Sequence, residues 1–499
     1  MNLLDLLQMS SEAMGDRVAV GPMDGGLTYQ DLFDRAARGA TWLRNQPGER
    51  LLYAGISSPV LPVAMYSAAW SGKPYVPLNY RLADDRLRML VGRQAPAVLV
   101  CDPGTEARFA GIEGIDVLTT EQFSAAIAAS EPADPNEAGW SMDDEEVAVL
   151  LHTSGTTGDP KIAILRQRHL TSYVLGSIEF MGAADDEATL VSVPPYHIAG
   201  IAAMITSGFS GRRIVQLPSF EPAEWVRLVR ENAVTHAMVV PTMLGRILDE
   251  LADGGGLPSV QHLSYGGGRM PLPVIERAME LLPHVNFVNA YGLTETSSSI
   301  SVLLPQDHRD AWTSDDPKVR RRLGSVGQPL PTVEISIRGP LGEELPVGEK
   351  GEIWVRGDQV SGEYASKRAL NTEGWFPTND AGMFDEAGFL FIEGRIDDVI
   401  VRGGENLSPG EIEDVLLQHE AVREAAVVGV PSDEWGEAVA AFVVLHEGQS
   451  MTAQEVADWI VKHLRSSRKP EHVEFRTELP YNETGKLLRR ELKAEFGAK

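Results

Sequence analysis

Between about residues 17 and 300, short runs of Val, Ile and Leu alternate with segments in which apolar residues return every three or four positions. Continuous apolar runs of this length suit strands buried on both faces, and the intervening periodicity suits helices laid over them, so the stretch reads as α/β layers with parallel strands. Strands are expected at 98–101, 147–152, 189–193 and 236–240, the last closed by Pro241, and helices at 222–231 and 273–282. From about 323 to 395 the pattern changes to two-residue alternation broken by Gly and Pro, with strands expected at 333–337, 351–355 and 389–394 as a β subdomain on the α/β body. After Asp397 a fresh pattern begins: a helix at 411–419, strands at 422–428 and 438–445, and an amphipathic helix at 453–464. About a hundred residues here can fold alone. The division expected is a large N-terminal domain, 1–395, and a small α+β C-terminal domain, 396–499.

Two stretches, 51–72 and 188–211, lack Asp, Glu, Lys and Arg and invite a membrane reading. Prolines, glycines and serines interrupt both, which suits strand-loop-helix passages through a core. The 499 residues carry a formal charge of −27. So acidic a surface repels nucleic acid and anionic lipid, which disfavours both as partners. The single cysteine, Cys101, excludes an internal disulfide and a multi-cysteine zinc site, and the eleven histidines never stand closer than nine positions apart. Any metal is therefore expected on oxygen ligands. The first fifteen residues include Asp5 and Glu12 and do not read as a secretory leader, so a cytoplasmic location is expected.

One segment concentrates phosphate-binding chemistry. Residues 150–161, Leu-Leu-His-Thr-Ser-Gly-Thr-Thr-Gly-Asp-Pro-Lys, follow an expected strand with a turn of hydroxyls and glycines ending at Lys161. Gly155 and Gly158 allow backbone N–H groups to converge, Thr153, Ser154, Thr156 and Thr157 add hydroxyls, and Lys161 adds charge. Asp159 and Pro160 stand where a P-loop needs its Gly-Lys pair, so this is not a Walker A loop.

The segment resembles the signature of the adenylate-forming superfamily, which includes acyl-CoA synthetases, luciferases and peptide-synthetase adenylation domains. Further blocks fall in the family's order. Residues 289–296, Asn-Ala-Tyr-Gly-Leu-Thr-Glu-Thr, are similar to its Tyr-Gly-x-Thr-Glu block. Trp375 to Asp380 resemble the block ending Thr-Gly-Asp, with Asn379 in place of the glycine. Residues 394–398 and 401–413 resemble the hinge and the loop after it, and 480–486 the block with the family's mobile lysine. The resemblance spans about residues 20 to 490 and implies ATP, Mg²⁺ and coenzyme A as reactants, with a C-terminal domain that moves about a hinge at Asp397.

By this resemblance Lys486, Glu295, Thr294 and His197 are the catalytic candidates, with Glu295 also the metal ligand. The nucleotide set is Thr153, Ser154, Gly155, Thr156, Thr157, Gly158, Lys161, Gly267, Gly268, Asn289, Tyr291, Gly292, Asp380 and Arg395, with Asp380 on the ribose hydroxyls and Tyr291 on the purine. The acyl pocket is assigned to Tyr196, His197, Ile201, Gly266, Gly267 and Ala290, and the CoA channel to Gly403 and Gly404. Arg269, which follows the three glycines, is expected to face solvent. No aspartate lies within 196–200, where relatives that activate amino acids place one, so a fatty or aryl acid is favoured over an amino acid. The reaction implied is activation of a carboxylic acid to an acyl-adenylate, then transfer to CoA; the alternative acceptor is the phosphopantetheine of a carrier protein.

Overall fold

A computed structural model of the chain describes residues 1–134, 143–153, 161–252, 255–432, 434–482 and 485–497. Two large sheets form the N-terminal body, where the hydrophobic pattern alone suggests only α/β layers. The first has eight strands, with Val147–Thr153, Tyr75–Pro77, Leu51–Ala54, Ala97–Cys101 and Ile115–Thr119 adjacent and parallel. The second has nine, with Asn286–Leu293, His262–Gly266, His236–Val239, Ala188–Val191 and Arg213–Gln216 adjacent and parallel.

Both sheets acquire antiparallel margins at the segments that carry chemistry. Val147–Thr153 pairs antiparallel with Lys161–Arg166, Thr153 opposite Lys161, and Asn286–Leu293 turns back into Ser298–Leu303. The expected parallel pattern therefore gives way to antiparallel pairing at both motifs.

The main core lies between the sheets. Leu51, Tyr53 and Val98 of the first sheet and Val191 and Ile214 of the second share one apolar cluster with the helices Tyr29–Arg44, Val60–Ser71 and Ile198–Ser210. The charge-free stretches are spent here. In Val60–Ser71 the residues from Leu61 to Trp70 are buried on every face of the helix, which is why its sequence has no polar stripe. Burial of each Leu, Val, Met or Trp in it contributes about 1.5–3 kcal/mol. No helix among the described residues is long and apolar enough to cross a membrane.

Val333–Arg338, Gly351–Gly357, Phe376–Phe384 and Leu390–Arg395 form a four-stranded antiparallel sheet, the β subdomain read from the sequence. After it, a short 3₁₀ turn, Ile396–Asp398, leads to a five-stranded sheet centred on Gly436–Leu445, which pairs with Val422–Ser432 on one side and with Ile400–Arg402 and His472–Arg476 on the other. The helices Pro409–Leu417 and Ala453–His463 accompany it. The two apolar clusters of this unit contain only residues from Ile400 onward. It thus carries its own core, and it meets the N-terminal body across a cleft of about 1140 Å³.

Candidate active site

The β subdomain positions one wall of the cleft through strand register. Asp380 stands directly across from Arg395 on neighbouring antiparallel strands, and the Arg395 Nε lies 3.1 Å from Asp380 Oδ1. The Tyr291 hydroxyl donates to Asp380 Oδ2 at 2.7 Å. Burial, with the Asp380 charge adding, holds the Tyr291 phenol well above its ordinary pKa. Asp380 is only 7% exposed, and each of its carboxylate oxygens keeps further acceptor capacity beyond the one bond described.

Asn379 has φ +61°. That left-handed conformation favours glycine, and asparagine is among the few other residues that adopt it readily. Its departure from the family's glycine thus leaves the turn intact, and it adds a contact: the amide donates to Asp397 Oδ2 at 3.1 Å. Asp397 is not the partner of Arg395, which instead donates to the Thr378 carbonyl at 2.9 Å as well as pairing with Asp380.

Opposite this wall, Lys486 enters from the C-terminal unit. The segment approaches the helix Pro241–Leu251 so closely that a Cβ on Gly485, which has φ +70°, would stand 2.2 Å from Thr242 Oγ1. Desolvation by the cleft walls, reinforced by the Arg395 charge, lowers the Lys486 pKa from its ordinary value; Asp380 and Asp398 act the other way. Asn289, Ala290, Tyr291, Gly292, Gly267 and Gly268 line the same cleft as Asp380, Arg395 and Lys486. Asn289 also donates to the Ser325 carbonyl at 2.9 Å, and a side chain on Gly292 would meet the Ser298 carbonyl.

Glu295 and Thr294 lie just beyond the cleft lining, in a 3₁₀ turn after Leu293. Glu295 is 8% exposed. Its carboxylate accepts the Tyr364 hydroxyl at 2.6 Å, and the Lys161 ammonium lies 5.6 Å from the Tyr364 ring centroid. Tyr364 therefore joins Lys161, which closes the candidate phosphate-binding segment, to the metal-ligand candidate, although 69 residues separate it from Glu295. The Glu295 carbonyl accepts N–H groups from Ser361 and Gly362. Sequence reading misses Tyr364; its position on a two-residue strand, with no local periodic signal, gives little to find it by. Thr153 Oγ1 donates to the Lys161 carbonyl at 3.3 Å. Ser154, Gly155, Thr156, Thr157 and Gly158 lie outside the described residues.

The acyl-pocket set is only partly assembled. Gly267 and Ala290 line the cleft, but Tyr196 and His197 stand behind Pro194, Pro195 and Tyr80, which do line it. Their rings pack 4.8 Å apart, and Tyr196 meets Tyr80 edge to face at 5.9 Å. Ile201 is fully buried in the inter-sheet core, because the period of its helix turns it away from the cleft. Gly266 is likewise structural: a Cβ there would stand 2.3 Å from the Ala290 carbonyl on the next strand.

Gly403 and Gly404, with φ +56° and +82°, form the turn between Ile400–Arg402 and Glu405–Leu407. They lie outside the cleft lining, where the Gly403 N–H donates to the Trp435 carbonyl at 2.8 Å. Arg269 is exposed, as expected, but it is not simply solvated. It pairs with Asp414 of the C-terminal unit, because the glycine turn before it aims its side chain across the seam. Burial, with the neighbouring Glu413 charge adding, lifts the Asp414 carboxyl to about 6 despite Arg269.

Comparison with known proteins places this geometry. Residues 7–365 match the AMP-binding enzyme family and residues 411–486 the AMP-binding enzyme C-terminal domain. The chain is 31% identical over 480 residues to feruloyl-CoA synthase from Amycolatopsis sp., covering 94% of each protein. It is 32% identical to the fatty acid–[acyl-carrier-protein] ligase ScoC of Streptomyces coeruleorubidus, covering 94% of this chain and 92% of that one. It also superposes on o-succinylbenzoate CoA synthetase from Bacillus subtilis. With the acyl-adenylate OSB-AMP bound, the TM-score is 0.84 at 29% identity, covering 98% and 97% of the two chains. With ATP and magnesium ion bound, the TM-score is 0.83 at 28% identity, covering 98% and 99%. With both family regions matched in order over a cleft shared by two separately cored units, the chain belongs to the AMP-binding enzyme family.

Proposed function

We propose that this protein is an AMP-forming carboxylic acid:CoA ligase acting on a fatty or aryl acid. The observation that carries the reading is the convergence of Lys486 from one unit with Asp380, Arg395 and Tyr291 from the other on a single cleft. A carboxylate is a poor acyl donor, since its leaving group is oxide. Its oxygen attacks the α-phosphorus of ATP, the bond to pyrophosphate breaks, and the product is a mixed anhydride with AMP as a good leaving group. A thiol then attacks the acyl carbon, and AMP departs.

The residues present suit the first step by orientation and charge. Asp380 is offered to the ribose hydroxyls, Tyr291 to the purine, and Arg395 to the ribose or the phosphates. Lys486 and Lys161 face the negative charge that shifts along the phosphate chain, to which the hydroxyls and glycines of 154–158 are assigned on the sequence alone. ATP is the magnesium complex. The single buried carboxylate of Glu295 beside the Thr294 hydroxyl fits a cation that keeps most of its ligands from water and phosphate. That cation supplies charge neutralisation at the phosphates.

For the second step the C-terminal unit, residues 396–499, turns about Asp397, withdraws Lys486 and brings Gly403 and Gly404 beside the pantetheine path. Such a turn is a hinge motion between rigid bodies. The separate core of the unit and the position of Gly403 outside the cleft support it. Gly267 and Ala290, with Tyr80, Pro194 and Pro195 backed by Tyr196 and His197, receive the acyl group. A cytoplasmic setting, where CoA is available and the buried Cys101 stays reduced, fits this chemistry.

The relative that loads an acyl carrier protein keeps one alternative in view, in which the thiol belongs to a carrier's phosphopantetheine. Incubation with Mg-ATP and a panel of fatty and aryl acids, with CoA or a carrier protein as acceptor and mass spectrometric detection, tests both. Acyl-CoA and AMP are expected; acylated carrier without acyl-CoA favours the alternative, and ADP in place of AMP contradicts both.

A further inference from the structure

Two adjacent acids on the helix Pro409–Leu417 are used differently. Glu413 is satisfied within the C-terminal unit: its carboxylate takes both bonds from Arg489 Nη2, at 2.5 and 2.7 Å, and its Oε1 also accepts the Val427 N–H at 2.8 Å. The Asp414 side chain, 18% exposed, is instead paired across the seam with Arg269 of the N-terminal body.

The placement of that arginine is unusual for a helix end. A Cβ on Gly410 would stand 1.8 Å from Arg269 Nη1, so the guanidinium lies against the first turn of the helix. A cation there faces the positive end of the helix dipole, which the helix itself disfavours. Asp414, four residues after Gly410 and so on the same face, supplies the attraction that holds it. Arg489 in turn follows Lys486 by three residues, and Gly485 packs on Thr242 of the N-terminal body. Arg269 is thus tied through Asp414 to the helix whose Glu413 holds Arg489, three residues along the chain from the lysine in the cleft.

We propose that Arg269 is a positioning residue for adenylation, seating the C-terminal unit through Asp414 so that Lys486 reaches the cleft. This rests on the role given above to Lys486. The pair contributes to neither core of the C-terminal unit. Its loss therefore displaces the unit rather than unfolding it, and it is needed only in the half-reaction for which the unit is docked this way.

The test compares ATP–pyrophosphate exchange with thioester formation from chemically supplied octanoyl- or benzoyl-adenylate. It uses the full chain, Arg269→Ala, Arg269→Lys, Asp414→Asn, the exchanged pair Arg269→Asp with Asp414→Arg, and Lys486→Ala as reference. Breaking a half-buried charge pair is expected to lower the kcat of exchange about 5- to 20-fold, with the KM for ATP moved less than about twofold and thioester formation within about twofold of the parent. Arg269→Lys should fall between, and the exchanged pair should recover part of the loss, as coupled partners do. If Arg269→Ala fails to fold, Asp414→Asn and the exchanged pair carry the same expectation. An equal fall in both half-reactions overturns the proposal. So does unchanged exchange in Arg269→Ala and Asp414→Asn while Lys486→Ala collapses it, an outcome that leaves the role of Lys486 standing. If Lys486→Ala itself leaves exchange intact, that role fails and the proposal with it.

Discussion

Two arginine–aspartate pairs border the same cleft, and they are built in opposite ways. Arg395 and Asp380 face each other at paired register positions of one antiparallel sheet, and Tyr291 and Thr378 complete their bonding. Arg269 and Asp414 stand 145 residues apart on separately cored bodies, with the arginine side chain 42% exposed. The first pair cannot separate without breaking a sheet. The second separates when one body moves. The proposed reaction, in which a nucleotide is held still while the lysine acting on it is exchanged, calls for both kinds of construction.

The largest expected effect falls on the movable side. Lys486→Ala removes a charge directed at the phosphates, and ATP–pyrophosphate exchange should fall by about 10² to 10³, while acyl-adenylate supplied directly is still converted to thioester. The effect of pH sharpens the point. The useful form of Lys486 is the ammonium, and burial and Arg395 lower its pKa, so the alkaline loss of kcat/KM for ATP should begin at lower pH than for an ordinary lysine. In kcat, read with the phosphates bound, the same loss should move to higher pH. Coincident alkaline limbs in the two profiles would separate Lys486 from the phosphates.

Asp380→Ala tests the fixed side. It removes charge-assisted acceptors worth about 1.5–3 kcal/mol, so kcat/KM for ATP should fall roughly 10- to 150-fold. It should also lower Tm, because Tyr291 and Arg395 lose their partner, whereas Arg269→Ala should leave Tm nearly unchanged. Equal Tm shifts in the two variants would dissolve the contrast between the pairs.

Gly485→Ala should be milder. The left-handed backbone costs a side chain about 1–2 kcal/mol, and the new Cβ meets Thr242 Oγ1. Exchange should therefore drop about tenfold, with thioester formation spared and partial recovery on adding Thr242→Ala. Exchange that stays low after Thr242→Ala is added would place the strain elsewhere.

The smallest effect belongs to Asn379. Asn379→Ala should cost about 1 kcal/mol of stability by thermal denaturation, since alanine resists φ +61°. Asn379→Gly loses only the bond to Asp397, so it should change stability by a few tenths of a kcal/mol. Equal losses in the two variants would show that the Asp397 contact, which both remove, outweighs the backbone conformation.

Local chemistry is legible in this sequence and long-range pairing is not. The run around Val98–Cys101 reads as a buried strand and forms one, Ala97–Cys101, because burial on both faces demands an unbroken apolar run. The helix Pro222–Glu231 is read to its ends from Pro222 at its start and its apolar period. The split into two sheets leaves no such trace, since strands of either sheet carry the same composition. The same holds for the site. Asp380 and Lys486 sit in recognisable blocks, whereas Tyr364 on Glu295 and Asp414 on Arg269 depend on segments far apart in sequence meeting in space. Ile201 and Gly266 mislead for a related reason: a small or apolar residue near a pocket serves the packing beneath it as readily as the pocket itself.

The central claim is an ordered pair of reactions through an acyl-adenylate, and a single-turnover experiment tests it most directly. Enzyme in excess is mixed with Mg-ATP labelled at the α-phosphorus and an acid chosen by the panel, quenched at intervals, and then chased with CoA. The expected result is acyl-AMP and pyrophosphate before CoA is added, followed by conversion of that acyl-AMP to acyl-CoA and free AMP at a rate consistent with turnover. Formation of ADP, or acyl-CoA appearing while preformed acyl-AMP stays unconsumed, would contradict it.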